Sequence, residues 1–187
     1  MTRKRFLKDD WVALGASELA AKGPEALKLE KICETASRTR GSFYHHFDSH
    51  TAFQMAIVSD WEARGTVEIA TEIAEIDDPH AAMDRLNDLA MATDFRFELG
   101  IRELARRSPE IAAIVRRIDA DRLSLLTTLY MRAFDIAEDT AKTVATCEYA
   151  AYSGMILMDP DMAEADQRHA ADTFAEMARL YIESVTA

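Results

Sequence analysis

The sequence of 187 residues holds few residues that break helices or cross-link chains, with six glycines, four prolines and two cysteines. Cys33 and Cys147 lie far apart, and neither belongs to a Cys-x-x-Cys or Cys/His group, so no disulfide framework or zinc site is predicted. We expect two reduced, buried thiols, because each cysteine lies within an apolar helical pattern. No apolar run reaches the roughly 20 residues that span a bilayer, which predicts a soluble, cytoplasmic protein without membrane contact.

The motifs of common enzymes are absent as well. The sequence has no glycine-rich phosphate loop, no His-Glu-x-x-His and no Ser/His/Asp spacing, and its carboxylates fall mainly on outer helical faces. His46 and His50 have the spacing of a metal-binding pair on one helix, but Asp48-Ser49 between them predicts a helix end and a new cap. We therefore predict that the protein is not an enzyme, with no catalytic residue, no metal site and no cofactor.

The net charge of -11 is distributed unevenly along the chain. Residues 1–50 hold 9 Lys and Arg against 7 Asp and Glu, whereas residues 51–187 hold 13 against 26. A mildly basic N-terminal segment on an acidic body would turn that segment towards a polyanion. The negative net charge therefore does not exclude nucleic-acid binding by the N-terminal segment.

Apolar residues recur at helical spacing along almost the whole chain, and no segment alternates with period two. The sequence therefore predicts an all-α fold of about nine helices, with a three-helix N-terminal head followed by a larger helical bundle. Asp78-Pro79 and Ser108-Pro109 each predict a helix start, because a capping side chain precedes a proline that needs no amide hydrogen bond. The predicted helices cover residues 8–22, 29–36, 39–46, 50–76, 80–92, 94–107, 109–134, 139–158 and 162–185.

Residues 27–53 contain a short helix, a tight break, a shorter helix and a third helix signal, which is the spacing of a helix-turn-helix. Projection of the second helix at about 100° per residue places Phe43 and Phe47 on one side, where their rings can hold the helix against the rest of the head. The opposite side presents polar side chains that can face DNA, and Thr39 is placed to cap the helix.

This segment resembles the DNA-binding head of the TetR family of bacterial transcriptional regulators. The resemblance covers roughly residues 8–55, and the rest of the chain shares only the length and helical character of the family. In such proteins the recognition helix enters the major groove, two subunits bind a palindrome, and a ligand in the C-terminal body switches DNA binding. The matching residues are Gly23, Leu29, Ile32, Ala36, the run Thr39-Arg40-Gly41-Ser42-Phe43-Tyr44-His45-His46-Phe47 and the helix opening Ser49-His50-Thr51-Ala52-Phe53.

The resemblance also implies which residues contact DNA. Base or groove contacts are expected from Arg40, Gly41, Ser42 and Tyr44, and backbone contacts from Thr39, His45, His46 and His50. On the residues alone, Arg40 and Tyr44 also fit an ordinary solvated helix surface. The basic residues at the N-terminus fit either a solubilising tail or an arm that reaches DNA; they are Arg3, Lys4, Arg5 and Lys8.

Four residues depart from the family pattern. Lys28 replaces the usual Ser or Thr cap of the second helix and offers an ammonium to a phosphate instead. Ser37 replaces the usual turn glycine, so a left-handed backbone conformation is expected at some cost. Arg38 replaces an apolar turn residue, and His50 replaces a lysine, which makes one phosphate contact titratable.

The C-terminal body carries two predicted features, a ligand pocket and a dimer interface. The residues that suit an apolar or planar ligand, each of which also fits ordinary core packing, the commoner role of any one of them, are Trp61, Met91, Phe95, Phe97, Tyr130, Phe134, Tyr149 and Tyr152. The dimer interface, which an intramolecular seam would resemble in sequence, is predicted at Ala145, Gly154, Phe174, Met177, Tyr181 and Val185. Glu98 and Arg102 are four residues apart and are expected to form an ion pair.

We therefore predict a helix-turn-helix DNA-binding domain at residues 1–50 and a ligand-binding and dimerisation domain at residues 51–187. The predicted function is transcription regulation by a homodimeric repressor that binds a palindromic operator in double-stranded DNA. An unknown small-molecule effector would release it. The alternative is a helical small-molecule-binding or adaptor protein without DNA-binding activity, which salt-dependent binding to duplex DNA would exclude.

Overall fold

The computed structural model describes residues 6–186 of the chain, and Arg3, Lys4 and Arg5 of the predicted arm lie outside these residues. The prediction of an all-α fold is confirmed, because residues 6–186 contain helices and no strand. The helices are α1 Lys8–Lys22, α2 Leu29–Thr35, α3 Arg40–Tyr44, α4 His50–Glu62, α5 Glu68–Ala74, α6 Pro79–Met91, α7 Phe95–Ala105, α8 Pro109–Phe134, α9 Glu138–Met158 and α10 Glu164–Thr186.

The helix count agrees with the prediction of about nine. A π-helical turn, Ala63–Val67, joins α4 to α5 without a break, so the ten segments form nine continuous helices within residues 6–186. The sequence predicted this long helix but not its π-helical turn. A further short 3₁₀ turn, Pro24–Leu27, connects α1 to α2.

Side-chain caps set the helix starts that the sequence predicted. The Asp78 carboxylate accepts a hydrogen bond from the His80 amide at 2.9 Å, directly before Pro79. The Ser108 hydroxyl accepts from the Ile111 amide at 3.3 Å in the same arrangement before Pro109. Each cap satisfies an amide that the first turn of a helix leaves without an intrahelical partner.

The chain divides into two compact units, and each unit has its own apolar core. The first unit contains residues 6–63 and 96–115. Its core is formed by fully buried large side chains, among them Trp11, Leu27 and Ile101. A Cβ atom at Gly100 would lie 2.6 Å from Leu19 Cγ, so the absence of a side chain allows α7 to approach α1 closely.

The second unit contains residues 64–95 and 116–186. One of its apolar clusters includes Tyr130 of α8, Val144 of α9 and Ile182 of α10, and a smaller one includes Ile73 and Leu129. The predicted functional division at residue 50 stays a prediction, since the first unit extends beyond that residue and compactness does not assign a function.

One prediction about the cysteines is wrong. Cys33 is buried as expected, and burial raises the pKa of its thiol, but Cys147 is exposed on α9. An apolar helical pattern shows that a helix has a buried face, but it does not show how wide that face is. A residue at the edge of the pattern can therefore be exposed. α9 buries Val144 and Ala145 on one side and leaves Thr146 and Cys147 facing solvent.

Candidate nucleic-acid interface and ligand cavity

The turn between α2 and α3 closes with two backbone hydrogen bonds. The Arg38 amide donates to the Cys33 carbonyl and the Ser37 amide to the Glu34 carbonyl, both at 2.9 Å. This pair of bonds is a Schellman motif, which requires a left-handed residue at Ser37. Ser37 has φ = 51°, so the expected left-handed turn is present without a glycine.

α3 is shorter than the predicted helix over residues 39–46. Thr39 lies before the helix as its cap, and its hydroxyl accepts from the Ser42 amide at 3.2 Å. The helix ends after Tyr44, where the His46 amide bonds to the Phe43 carbonyl only three residues earlier. This tighter bond follows the usual narrowing at a helix end.

Two phenyl rings fix the orientation of α3. Phe43 is fully buried and Phe47 is 3% exposed. The ring of Phe43 meets those of Trp11 in α1 and Phe53 in α4 edge-on, at centroid distances of 5.3 Å each. Because aromatic pairs at such distances pack with a defined geometry, α3 cannot rotate without losing contacts to two neighbouring helices.

The opposite side of α3 faces solvent. Tyr44 is 51% exposed, the Arg40 side chain is 62% exposed, and Gly41 and His45 are exposed as well. Ser42 is half-buried. The side that carries the predicted base contacts is therefore accessible to a large partner such as a nucleic-acid groove.

Two of the histidines that are predicted to contact the DNA backbone are half-buried, and each already has a hydrogen bond to a carbonyl of the protein. His46 Nε2 lies 3.1 Å from the Phe6 carbonyl, and His50 Nε2 lies 2.6 Å from the Leu27 carbonyl. A carbonyl accepts, so Nε2 carries the proton in both rings, and only Nδ1 remains for a further contact. These bonds position the rings at the edge of the head.

Two basic side chains that are predicted to contact DNA form ion pairs with carboxylates. Lys28 Nζ lies 2.7 Å from Glu25 Oε2, and Arg40 Nη2 lies 2.6 Å from Glu30 Oε1. The hydrogen bonds from Lys28 and from Arg107 lower the pKa of Glu25 to about 2. Sequence reasoning missed both carboxylates, although Glu25 is three residues before Lys28, a spacing that indicates pairing.

The remaining departures from the family pattern also have defined surroundings. Arg38 is half-buried, and its guanidinium lies 5.2 Å from the ring centroid of Phe6, so its stem covers an aromatic side chain. Lys8, the one described member of the predicted arm, lies 5.7 Å from the ring centroid of Phe47. The predicted pair of Glu98 and Arg102 is confirmed at 3.1 Å.

A cavity of about 220 Å³ lies within the second unit. Three of the eight predicted pocket residues line it, namely Met91, Tyr149 and Tyr152. Most of the remaining wall is apolar and includes Leu86, Leu125 and Phe174. Residue type alone does not separate these lining residues from core residues.

The other five predicted pocket residues do not line this cavity. Tyr130 and Phe134 stack on each other in the apolar core of the second unit, and Phe95 contacts the ring of Tyr152 edge-on. Trp61 and Phe97 belong to the first unit, where the indole of Trp61 donates to Glu98 Oε2 at 2.5 Å. Phe95, Tyr130 and Phe134 take part in ring packing that helical spacing does not distinguish from a pocket.

The predicted dimer residues fall into two groups. Met177, Tyr181 and Val185 of α10 are exposed by 62, 45 and 50%, and a Cβ atom at Gly154 would meet no atom within 4 Å. Ala145 is instead fully buried, and Phe174 packs against the same core. Exposed apolar residues that the prediction missed are Leu157, Met158 and Leu180.

Residues 12–54 match the family model described as "Bacterial regulatory proteins, tetR family". The match extends from α1 into α4 and contains the whole helix-turn-helix described above. The fold and the exposed recognition helix define a helix-turn-helix DNA-binding protein. This match, together with the geometry of the helix-turn-helix, supports a DNA-binding transcriptional regulator whose N-terminal DNA-binding region is similar to that of the TetR family.

A solved structure shares the fold over almost the entire chain. It is a crystal structure of a candidate transcriptional regulator from Pseudomonas aeruginosa PAO1, with a TM-score of 0.73 and 12% sequence identity. The alignment covers 95% of this chain and 92% of the Pseudomonas chain. No curated protein matches the chain.

Within residues 6–186, no helix combines the length and apolar character that crossing a membrane requires. Nor does this range contain a group of three His, Cys, Asp or Glu side chains that could hold a metal ion.

Proposed function

We propose that the protein is a homodimeric repressor that binds a palindromic DNA operator and is released when a small molecule occupies the cavity of the second unit. The single observation that carries this proposal is the solvent-facing side of α3, with Arg40 and Tyr44 exposed opposite the buried Phe43. Polar side chains on an anchored, exposed helix are what major-groove recognition requires.

The contacts divide into two kinds. Arg40, Gly41, Ser42 and Tyr44 would approach base edges or groove walls, which supplies sequence specificity. Thr39, His45, His46, His50 and Lys28 would contact the phosphate backbone, which supplies affinity and register. Lys28 can bind phosphate only if it leaves or shares Glu25, since the two side chains are 2.7 Å apart.

A dimer follows from the limited reach of one head. α3 has five helical residues and spans only a few base pairs, whereas two copies double the contacts and select a two-fold symmetric site. The exposed apolar stripe of α10, defined as Met177, Leu180, Tyr181 and Val185, is the surface that we assign to this dimer. Such a stripe suits a four-helix bundle formed by two subunits. Ala145, fully buried in its own subunit, is left out of the interface.

Residues 1–50 would therefore bind DNA, and residues 51–187 would bind the effector and the second subunit. Repression requires only that the bound dimer occupies a promoter, and release requires that the effector binds the DNA-free form more tightly than the DNA-bound form. Effector binding and DNA binding would then weaken each other by the same factor.

Selection of bound sequences from a random duplex library tests the proposal. We expect enrichment of a palindrome whose half-sites are about 10 base pairs apart or a multiple of this spacing. A reporter with that palindrome in its promoter should be silenced by the protein and activated by the effector. Enrichment of no sequence, or of a single half-site bound by a monomer, would contradict the proposal.

A further inference from the structure

The cavity of the second unit contains one carboxylate whose bonding is incomplete. Glu148 of α9 lines the cavity and is half-buried. Its Oε2 accepts a hydrogen bond from the Tyr130 hydroxyl at 2.6 Å. Within residues 6–186, its Oε1 has no hydrogen-bond or ion-pair partner, so one acceptor remains for a bound molecule.

No cation of the cavity wall neutralises Glu148. Arg122 lines the same cavity, but its guanidinium donates to Thr66 Oγ1 at 2.9 Å and to the Gly65 carbonyl at 3.1 Å. Asp121, the third charged residue of the wall, pairs with Arg117 at 3.5 Å. Asp121 thus has a cationic partner and Arg122 donates to two neutral oxygens, so Glu148 is the wall carboxylate that retains an acceptor for a cation.

The surroundings of Glu148 disfavour the ionised form of its carboxyl group. Burial raises the pKa of this carboxyl, and the hydrogen bond from Tyr130 offsets only part of the effect. A carboxylate in apolar surroundings is stabilised by a partner that brings both a positive charge and an N–H donor. A neutral apolar molecule would cover Oε1 without satisfying it, which carries a desolvation cost.

We infer that the cavity binds a small protonated amine, with its ammonium group at Glu148 Oε1 and its apolar body against Leu86, Met155 and Phe174. This inference rests on the proposed function, because it names the chemical class of the effector. The stacked rings of Tyr149 and Tyr152, 6.1 Å apart, add aromatic surface that attracts a cation. A volume of about 220 Å³ suits one ring with a short chain, since a cavity of about 150 Å³ is known to hold benzene.

Three probes with the same ring and nearly the same length test the inference on the full chain without DNA. They are 2-phenylethylammonium, 2-phenylethanol and phenylacetate, which differ in the charge of the head group. Their affinities are measured by titration calorimetry and by ligand-observed NMR at pH 7. We expect 2-phenylethylammonium to bind at least about tenfold more tightly than the alcohol, as a charge-assisted hydrogen bond in a cavity implies. Phenylacetate should bind most weakly.

Two variants test whether the preference for the ammonium depends on Glu148. In Glu148→Gln the amide oxygen still accepts from Tyr130, while the negative charge is lost. This variant should bind the ammonium about tenfold more weakly and the alcohol within about threefold of the unchanged protein. Glu138→Gln, an equal change at an exposed position of the same helix, should alter neither affinity. The head-group series on the unchanged chain gives an answer even if Glu148→Gln fails to fold.

Several outcomes would overturn the inference. They are equal binding of the alcohol and the ammonium, tighter binding of phenylacetate, an undiminished ammonium preference in Glu148→Gln, and no binding of the ammonium. The operator selection is a separate measurement. Selection of a palindrome without amine binding would support the proposed regulator and contradict the inference that the ligand is an amine. Amine binding without a selected palindrome would support the ligand class and contradict the proposed operator binding.

Discussion

Arg40 and Glu30 form an ion pair on the surface of the head, with 2.6 Å between Arg40 Nη2 and Glu30 Oε1. Arg40 is the first residue of α3, and Glu30 lies in α2 on the other side of the turn. Both side chains are more than 60% exposed. A phosphate or a base edge must therefore compete with Glu30 for the guanidinium, and the pair limits how strongly Arg40 attracts DNA of arbitrary sequence.

Replacement of Glu30 by glutamine should strengthen binding to nonspecific duplex DNA. The amide keeps the size of the side chain and loses its charge, and exposed pairs of this kind are worth about 0.2 to 1 kcal/mol, so a gain of roughly two- to fivefold is expected. Fluorescence anisotropy with a labelled random duplex at fixed salt measures it. Glu34→Gln is the control, since Glu34 is an exposed carboxylate of the same helix. Equal gains in the two variants would mean that only net charge matters.

Arg40→Ala should weaken binding to the selected operator more than binding to nonspecific DNA. If Arg40 contacts a base edge, the variant loses about 1 to 3 kcal/mol on the selected operator and little on nonspecific DNA. Parallel anisotropy titrations on both duplexes measure the two losses. Losses of the same size would identify Arg40 as a phosphate contact and leave Tyr44 and Ser42 as the base-contacting residues.

The helices of this protein were predictable because their ends are encoded locally. Asp78 and Ser108 each precede a proline, and both cap the helices that were expected there. The left-handed conformation of Ser37 also follows from its position in a short turn. In each case, residues within four positions of one another determine the geometry.

The features that the sequence did not predict, the ion pair of Arg40 and the lining of the cavity, depend on tertiary contacts. Glu30 and Arg40 are ten residues apart and meet only because the turn folds α2 against α3. Tyr130 and Tyr149 have the same residue type and similar helical surroundings, yet Tyr149 lines the cavity and Tyr130 packs in the core. Helical spacing gives the side of a helix on which a residue lies, and it does not show which neighbour covers that side.

A carboxylate in the apolar stripe of α10 should dissociate the proposed dimer. Leu180 is 52% exposed, and in Leu180→Glu a charge would be buried between two subunits at a cost of several kcal/mol. We expect the dimer dissociation constant to rise at least about a hundredfold. Sedimentation equilibrium reports it directly, and operator affinity should fall in parallel.

Ala175→Glu is the matched control for this variant. Ala175 is an exposed residue of the same helix, on the side that carries the ion pair of Arg179 and Glu183. This variant should stay dimeric. A dimeric Leu180→Glu protein would show that the subunits associate through another surface, or that the stripe faces solvent in the active protein.

The buried carboxyl of Glu148 should make folding stability depend on pH. Burial raises the pKa of Glu148 in the folded chain above the value of 4.5 that applies when the chain is unfolded. The folded state therefore holds this proton more tightly, and the contribution of Glu148 to the free energy of unfolding is most favourable below pH 4.5. It is lost as the pH rises through the raised pKa.

Glu148→Gln removes this loss, because glutamine does not ionise. The melting temperature of the unchanged protein should fall relative to that of Glu148→Gln as the pH is raised from about 4 to 8, and calorimetry at several pH values measures the difference. Glu138→Gln, at an exposed position, should follow the unchanged protein throughout. If a protonated amine binds at Glu148 Oε1, adding it at pH 8 should restore part of the lost stability, because it binds the folded state and brings a cation directly to the Glu148 carboxylate. A pH-independent difference between the two proteins would mean that Glu148 is ionised at little cost, with solvent reaching both of its oxygens.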